Sequence, residues 1–171
     1  MVRIGKLTDY AMLLMSQMAK EPNAILSATF LAETLHLNAP TVSKILKMLG
    51  EANLVCSVRG AEGGYHLAHP AQDITVADVV AAMEGKIAMT ECCEKTNLCA
   101  IDAYCTMREN WQKINKMIQA LLAKFTILDM AGPISIYSFV TAHETTGSAH
   151  YFATSAMDGH EMGQGRTSGA K

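Results

Sequence analysis

The stretch Asn38-Ala39-Pro40-Thr41-Val42-Ser43-Lys44-Ile45-Leu46-Lys47-Met48-Leu49 decides how this 171-residue chain is read. Asn38 is a strong helix-capping residue, and Pro40 is tolerated in a first helical turn, where its missing N–H has no partner to lose. Val42, Ile45, Leu46 and Leu49 follow at spacings of 3, 1 and 3, which places them on one helical face. Thr41, Ser43, Lys44 and Lys47 fall on the other face, which is small, polar and basic. A helix that enters the major groove of B-DNA needs such a face, because short polar side chains let the backbone approach the base edges. Lys47, one turn further along, is placed to meet a phosphate.

Toward the N-terminus, Ser27 is the expected cap of a helix from Ala28 to Leu35 with Phe30, Leu31 and Leu35 inward. Thr8 is the expected cap of an earlier helix whose apolar face is Ala11, Leu14, Met15 and Met18. Toward the C-terminus, the β-prone runs Leu54–Val58 and Tyr65–Leu67 flank Arg59-Gly60-Ala61-Glu62-Gly63-Gly64. Gly60, Gly63 and Gly64 let that loop lie close to a sugar–phosphate backbone, and Arg59 at the tip can enter the minor groove, where the potential is most negative. Singly, each feature is an ordinary turn or a solvated charge. Their order is that of a winged helix-turn-helix. The expected fold class is therefore mainly α with a small β-hairpin wing, residues 1–70 forming the DNA-binding domain.

With 14 Lys and Arg against 16 Asp and Glu, the net charge of −2 excludes a globally basic coat but not a local basic patch. No run of 18 apolar residues occurs, so no membrane span is expected. Met1-Val2-Arg3-Ile4-Gly5-Lys6 lacks the apolar core of a secretory signal, and the expected location is the cytoplasm. Clustered cysteines in that reducing compartment serve as metal ligands or redox groups more often than as structural disulfides.

In residues 71–130, Thr75 is the expected cap of a helix with Val76, Val79, Val80 and Met83 inward, ending near Gly85. A long helix is expected from Thr106 to Phe125. Its Trp111, Ile114, Ile118, Leu121 and Phe125 recur at 3, 4, 3 and 4, a coiled-coil seam that predicts a homodimer. A dimer of winged units reads a pseudo-palindromic duplex with half-sites about one helical turn, or a multiple of it, apart. Residues 71–130 thus form an expected cysteine loop and dimerisation helix. Residues 131–171 form a C-terminal extension, expected to be a disordered tail from about 145, with His143, His150 and His160 solvated.

Four of the five cysteines lie between 92 and 105. From Cys93 the spacing is C-x5-C-x5-C through Cys99 and Cys105; from Cys92 it is C-x6-C-x5-C. Structural zinc sites favour tighter C-x2-4-C knuckles. Three thiolates on widely spaced loop positions before a helix better suit an iron–sulfur cluster. Adjacent Cys92 and Cys93 do not readily both bind one compact cluster, so one is a spare thiol. Zinc held by three Cys and a carboxylate, in a zinc-stapled interaction module, and a metal-free thiol switch are the alternatives. Cys56 reads as a buried apolar residue. The chain lacks a C-x-x-C motif and a Cys-His-acid set, and it is not expected to be an enzyme.

Lys6-Leu7-Thr8-Asp9-Tyr10-Ala11, Pro40 to Lys47, Arg59 to Tyr65 and the cysteine spacing together resemble the Rrf-type (IscR/NsrR-like) winged-helix regulators of bacteria. Glu84-Gly85, Met89-Thr90-Glu91-Cys92 and Arg108 to Asn115 resemble in particular the regulators of SUF-system iron–sulfur assembly. The resemblance covers about residues 1–130. It implies a dimeric transcription factor, a repressor of assembly genes in its nearest branch, whose three cysteines hold a 2Fe-2S or 4Fe-4S cluster. It also implies a fourth ligand that varies between members. Where some carry His, this chain has Arg108, which does not ligate; where others use an Asp in the first helix of the partner subunit, it has Asp9. Asp9 is thus the favoured fourth ligand, with Glu91, Glu94 or Asp102 as local substitutes. The branch resemblance points to Cys92 as first ligand and the spacing to Cys93. A redox- or nitric-oxide-responsive regulator of other genes is the remaining reading within the family.

Overall fold

Residues 4–60, 62–94 and 104–134 are described in a computed structural model, where the apolar faces expected of the first and third helices share one core. Helix α1 spans Lys6–Lys20, α2 Ala28–Thr34 and α3 Ala39–Glu51. Ala11, Leu14, Met15 and Met18 of α1, Leu31 and Ala32 of α2, and Val42, Ile45, Leu46 and Leu49 of α3 are all buried. Each buried Leu, Ile or Met contributes about 1.5–3 kcal/mol. Phe30 departs from expectation and is exposed. With seven residues, α2 has one narrow inner stripe, which Leu31 and Ala32 fill, and each step along a helix turns a side chain by about 100°.

The caps of α2 and α3 are as expected: Ser27 Oγ accepts from Phe30 N at 3.1 Å and Asn38 Oδ1 accepts from Thr41 N at 2.8 Å. Helix α1 begins differently. Its N-cap is Gly5, and Thr8 is buried within the first turn instead of capping it. The cap comes from another helix: the Glu84 carboxylate accepts from Gly5 N at 2.8 Å and from the Thr8 hydroxyl.

Both α2 and α3 stop by reversing their last turn. Leu37 N donates to Ala32 O and His36 N to Glu33 O; Leu54 N donates to Leu49 O and Asn53 N to Gly50 O. The residues that take the left-handed conformation are His36 (φ 53°) and Asn53 (φ 58°), where glycine is commonest. The first reversal makes the tight turn into α3, and the second delivers the chain into the wing. Strands β1 (Val55–Val58) and β2 (Gly64–Leu67) pair antiparallel, Val55 opposite Leu67 and Val58 opposite Gly64. Leu26 bridges the far side of β2 through Tyr65, at 2.8 and 2.9 Å, so the wing is tied to the residue that precedes the α2 cap.

Helix α4 (Val76–Glu84) packs on α1 and α3 with Val76, Val79 and Val80 buried, as expected, and Met83 half-buried. A one-turn helix, α5 (Glu91–Glu94), carries Cys92 and Cys93 where a loop was expected. Helix α6 spans Arg108–Leu122 and rests against α5 and α4. It is shorter than the expected Thr106–Phe125. Phe125 lies beyond it, half-buried against the core, because Val76 N donates to Phe125 O and Thr75 pairs with Thr126, drawing the chain out of the helix. Helix α7 (Ile127–Met130) then inserts Ile127 into the core beside α1. The described residues belong to one compact unit, Met1–Ile134. The expectations for the tail and its histidines lie outside the described residues. Among the described residues no helix is long and apolar enough to cross a membrane.

Candidate DNA interface and cysteine loop

Complete burial of Val42, Ile45, Leu46 and Leu49 fixes the rotation of α3, and that rotation turns Ser43, Lys44 and Lys47 to solvent. Thr41 is half-buried in the first turn, its amide held by the Asn38 cap. Lys47 Nζ lies 3.9 Å from the Glu51 carboxylate, with both side chains well exposed. Such a pair is worth only about 0.3–0.5 kcal/mol, little against a charge-assisted bond to phosphate. The outward face offers hydroxyls and two cations, and the described residues of the face carry no large apolar group that would hold the helix off a groove.

Arg59 is exposed where β1 runs into the wing loop. Gly60 adopts φ 131°, a conformation that L side chains rarely reach, and Gly63 N donates back to Gly60 O at 3.0 Å. Gly64 serves a different need. A Cβ there would sit 2.6 Å from Leu26 O, so the glycine is what lets β2 seat against Leu26. Of the glycines expected to allow approach to DNA, Gly60 shapes the exposed tip, whereas Gly64 anchors the wing to the body.

In the cysteine loop, Thr90 Oγ1 lies 3.1 Å from Cys92 Sγ and 3.2 Å from Cys93 Sγ, so two adjacent thiols converge on one hydroxyl. Both are half-buried, and Cys93 N donates to Thr90 O at 2.9 Å. Cys105 is half-buried just before α6, and these thiols are free of disulfides. Cys99 lies outside the described residues, as does Asp102. Among the described residues, no three His, Cys, Asp or Glu side chains come together as a metal site. Asp9 is exposed on the first turn of α1. The donors fit a thiolate-bound group: soft sulfur ligands, partly sheltered, beside a hydroxyl able to donate to a sulfur anion. Cys56 is half-buried rather than buried, opposite His66 on the hairpin.

Helix α6 holds the part of the site that the sequence pattern did not reveal. Its buried residue is Asn115, whose Oδ1 accepts from Met89 N at 3.0 Å and whose Nδ2 donates to Ile87 O at 3.1 Å. One turn on, Gln119 Nε2 donates to the same carbonyl at 2.8 Å; one turn back, Gln112 Nε2 reaches Cys92 O at 3.4 Å. The signal was the 3, 4 spacing of these carboxamides, interleaved with the apolar seam. On the adjoining side Trp111, Ile114 and Leu121 are exposed and Ile118 is half-buried, with exposed Met107 and Met117 beside them. Glu84, which joins the α1 start to the beginning of the loop, was also missed.

A capped helix with a polar outer face, a tethered wing beside it and a second helix with an uncovered apolar side make up the architecture of winged-helix transcriptional regulators. The sequence comparison narrows this class. Residues 4–133 match the Rrf2 family, described as an iron-dependent transcriptional regulator, and the chain belongs to that family of DNA-binding regulators, which are not enzymes. It is 35% identical to the protein rrf2 of Nitratidesulfovibrio vulgaris over 62% of this chain and 71% of the relative. It is 31% identical to NsrR of Oceanobacillus iheyensis over 75% of this chain and 84% of that one. Among solved structures, CymR of B. subtilis, the global cysteine regulator, superposes with a TM-score of 0.63 at 28% identity, covering 77% of this chain and 97% of CymR. T. potens IscR does so with a TM-score of 0.58 at 26% identity, covering 88% and 95%.

Proposed function

We propose that the chain is a cytoplasmic, homodimeric repressor that senses an iron–sulfur cluster and controls iron–sulfur assembly genes of the SUF type. The observation that carries this reading is the convergence of Cys92 and Cys93 on Thr90 at the foot of α6. The family's description as iron-dependent and the likeness to NsrR and IscR support it. Cys99, Cys105 and either Cys92 or Cys93 are the thiolate ligands, with Asp9 supplied across the dimer as the fourth. A bound cluster would supply sensitivity to oxidants, because the Asp9 carboxylate would hold iron less tightly than the cysteine thiolates do. The chain's residues do the rest. Thr41, Ser43 and Lys44 face base edges, Lys47 a phosphate and Arg59 the minor groove, while Gly60, Gly63 and Gly64 shape the wing. Trp111, Ile114, Ile118 and Leu121 join two copies over a pseudo-palindromic double-stranded operator. A coupling of about 1–3 kcal/mol between thiol loop and DNA face changes affinity roughly 5–150-fold, enough for a switch.

Anaerobic purification followed by absorption spectroscopy, iron and sulfide analysis and a mobility-shift assay tests this. The expected protein is coloured, contains iron and sulfide, and binds its operator with a cluster-dependent affinity that Arg59→Ala weakens. A colourless protein holding zinc sinks the cluster reading, and operator binding unchanged by Arg59→Ala sinks the wing assignment.

A further inference from the structure

Residues 85–90, between α4 and α5, form neither helix nor strand, yet several of their backbone groups lie partly buried against α6. Such groups need partners. Asn115 supplies two of them at once, accepting from Met89 N and donating to Ile87 O. Those are the two groups that flank Ala88, and a neighbouring parallel strand would engage the same pair. The Asn115 carboxamide therefore stands in for a peptide group. Gln119 fills the second lone pair of Ile87 O, and Gln112 holds Cys92 O. Met89 is followed by Thr90, whose hydroxyl both thiols meet. The contacts run without a gap from the buried face of α6 to the two sulfur atoms.

We propose that Asn115, flanked by Gln112 and Gln119, is a positioning residue that sets the register of the cysteine loop and so aims Cys92 and Cys93 at Thr90. The purpose of that aim rests on the reading of these thiols as ligands; the positioning itself does not. Carboxamides inside and an apolar stripe outside lie on one helix. A change at the thiols thus reaches the stripe without passing through the core of α1 to α4.

The test uses the full chain under reductant, both as purified and after chelation. Amide hydrogen exchange is read at Met89, and the alkylation rates of Cys92 and Cys93 with iodoacetamide are read by mass spectrometry. Asn115→Leu is expected to raise both by about tenfold, because a buried donor and acceptor lose their partner together. Protection of the Leu14 and Leu46 amides, inside α1 and α3, is expected to stay at the parental level. Unchanged rates at Met89 and the two thiols overturn the proposal. A uniform rise that includes Leu14 and Leu46 also overturns it, since Asn115 would then serve only general stability. Should Asn115→Leu fail to fold, Gln119→Leu keeps Asn115 in place and is expected to raise the same rates about threefold; no rise overturns the proposal. A protein without iron would remove the cluster reading and leave these rates as they are, so the two ideas fail separately.

Discussion

Helices α3 and α6 carry apolar residues at similar spacings and turn them in opposite directions. On α3, Val42, Ile45, Leu46 and Leu49 have no exposed surface, and the polar side faces solvent. On α6 the buried residue is Asn115, and Trp111, Ile114 and Leu121 are 37–42% exposed. Helical periodicity says that a face will be covered; it does not say by what. The apolar face of α3 is covered by the same chain, through α1, α2 and α4. The inner face of α6 meets an irregular segment with backbone bonds to satisfy, so carboxamides belong there and the hydrophobic side is left for another surface.

Substituting one apolar residue on each helix measures this contrast. Leu46→Ala is expected to have the largest effect, a loss of about 2–5 kcal/mol read from the midpoint of urea unfolding. That is a large part of the roughly 5–15 kcal/mol that stabilises a typical domain. Leu121→Ala, the same change on the outer face of α6, is expected to alter the folding of a single chain by only about 0.5 kcal/mol. Similar losses at the two positions, measured at a concentration where the protein is monomeric, would mean that α6 is covered by its own chain, and the contrast would collapse.

The next effect concerns association. Ile114→Glu places a charge in the middle of the exposed stripe of each copy, where pairing would desolvate it. The expected cost is about 2–4 kcal/mol, roughly 30- to 1,000-fold in the dimer dissociation constant. Sedimentation at micromolar concentration should then show monomers with the parental far-UV spectrum. A variant that remains dimeric removes the stripe as the interface. The buried side of α6 would still hold the cysteine loop.

What could be read from the sequence follows the same division. The core of α1 and α3, the caps Ser27, Asn38 and Thr75 and the pairing of the wing were all legible, because each depends on residues close in sequence. Partnerships between distant residues were not. Glu84 holds the start of α1 from 79 residues away, and Thr8, a capping type of residue, lies buried inside the first turn instead. Gln112, Asn115 and Gln119 look like an ordinary solvated face until the segment they hold is known. His36 and Asn53 carry left-handed turns usually left to glycine, so neither turn announced itself. At the cysteines, spacing suggests a thiolate-bound group, and the two thiols that meet Thr90 are neighbours in sequence. The choice between them depends on how Cys99 and Cys105 are placed, and spacing alone leaves it open.

The smallest expected effect lies where α6 hands the chain back to the core that α3 shares. There Thr126 and Asp129 form a capping box: the Asp129 carboxylate accepts from Thr126 N at 2.8 Å and from Thr126 Oγ1 at 2.7 Å. The backbone bond first, and the hydroxyl second, hold the Asp129 carboxyl below its ordinary value. A carboxyl lowered on folding favours the native state above its unfolded pKa, near 3.9, and loses that contribution as pH falls through the lower folded value. Its exposure screens the effect, so the readout is the residue rather than global stability. An NMR titration of the Asp129 carboxyl is expected to show a midpoint below that of an aspartate in an unstructured peptide. Thr126→Val removes the hydroxyl and keeps the backbone donor, so the midpoint should rise only part of the way back. A full return would place the anchor in the side chain, and no change would mean that the hydroxyl contributes nothing to the junction joining α6 to the core.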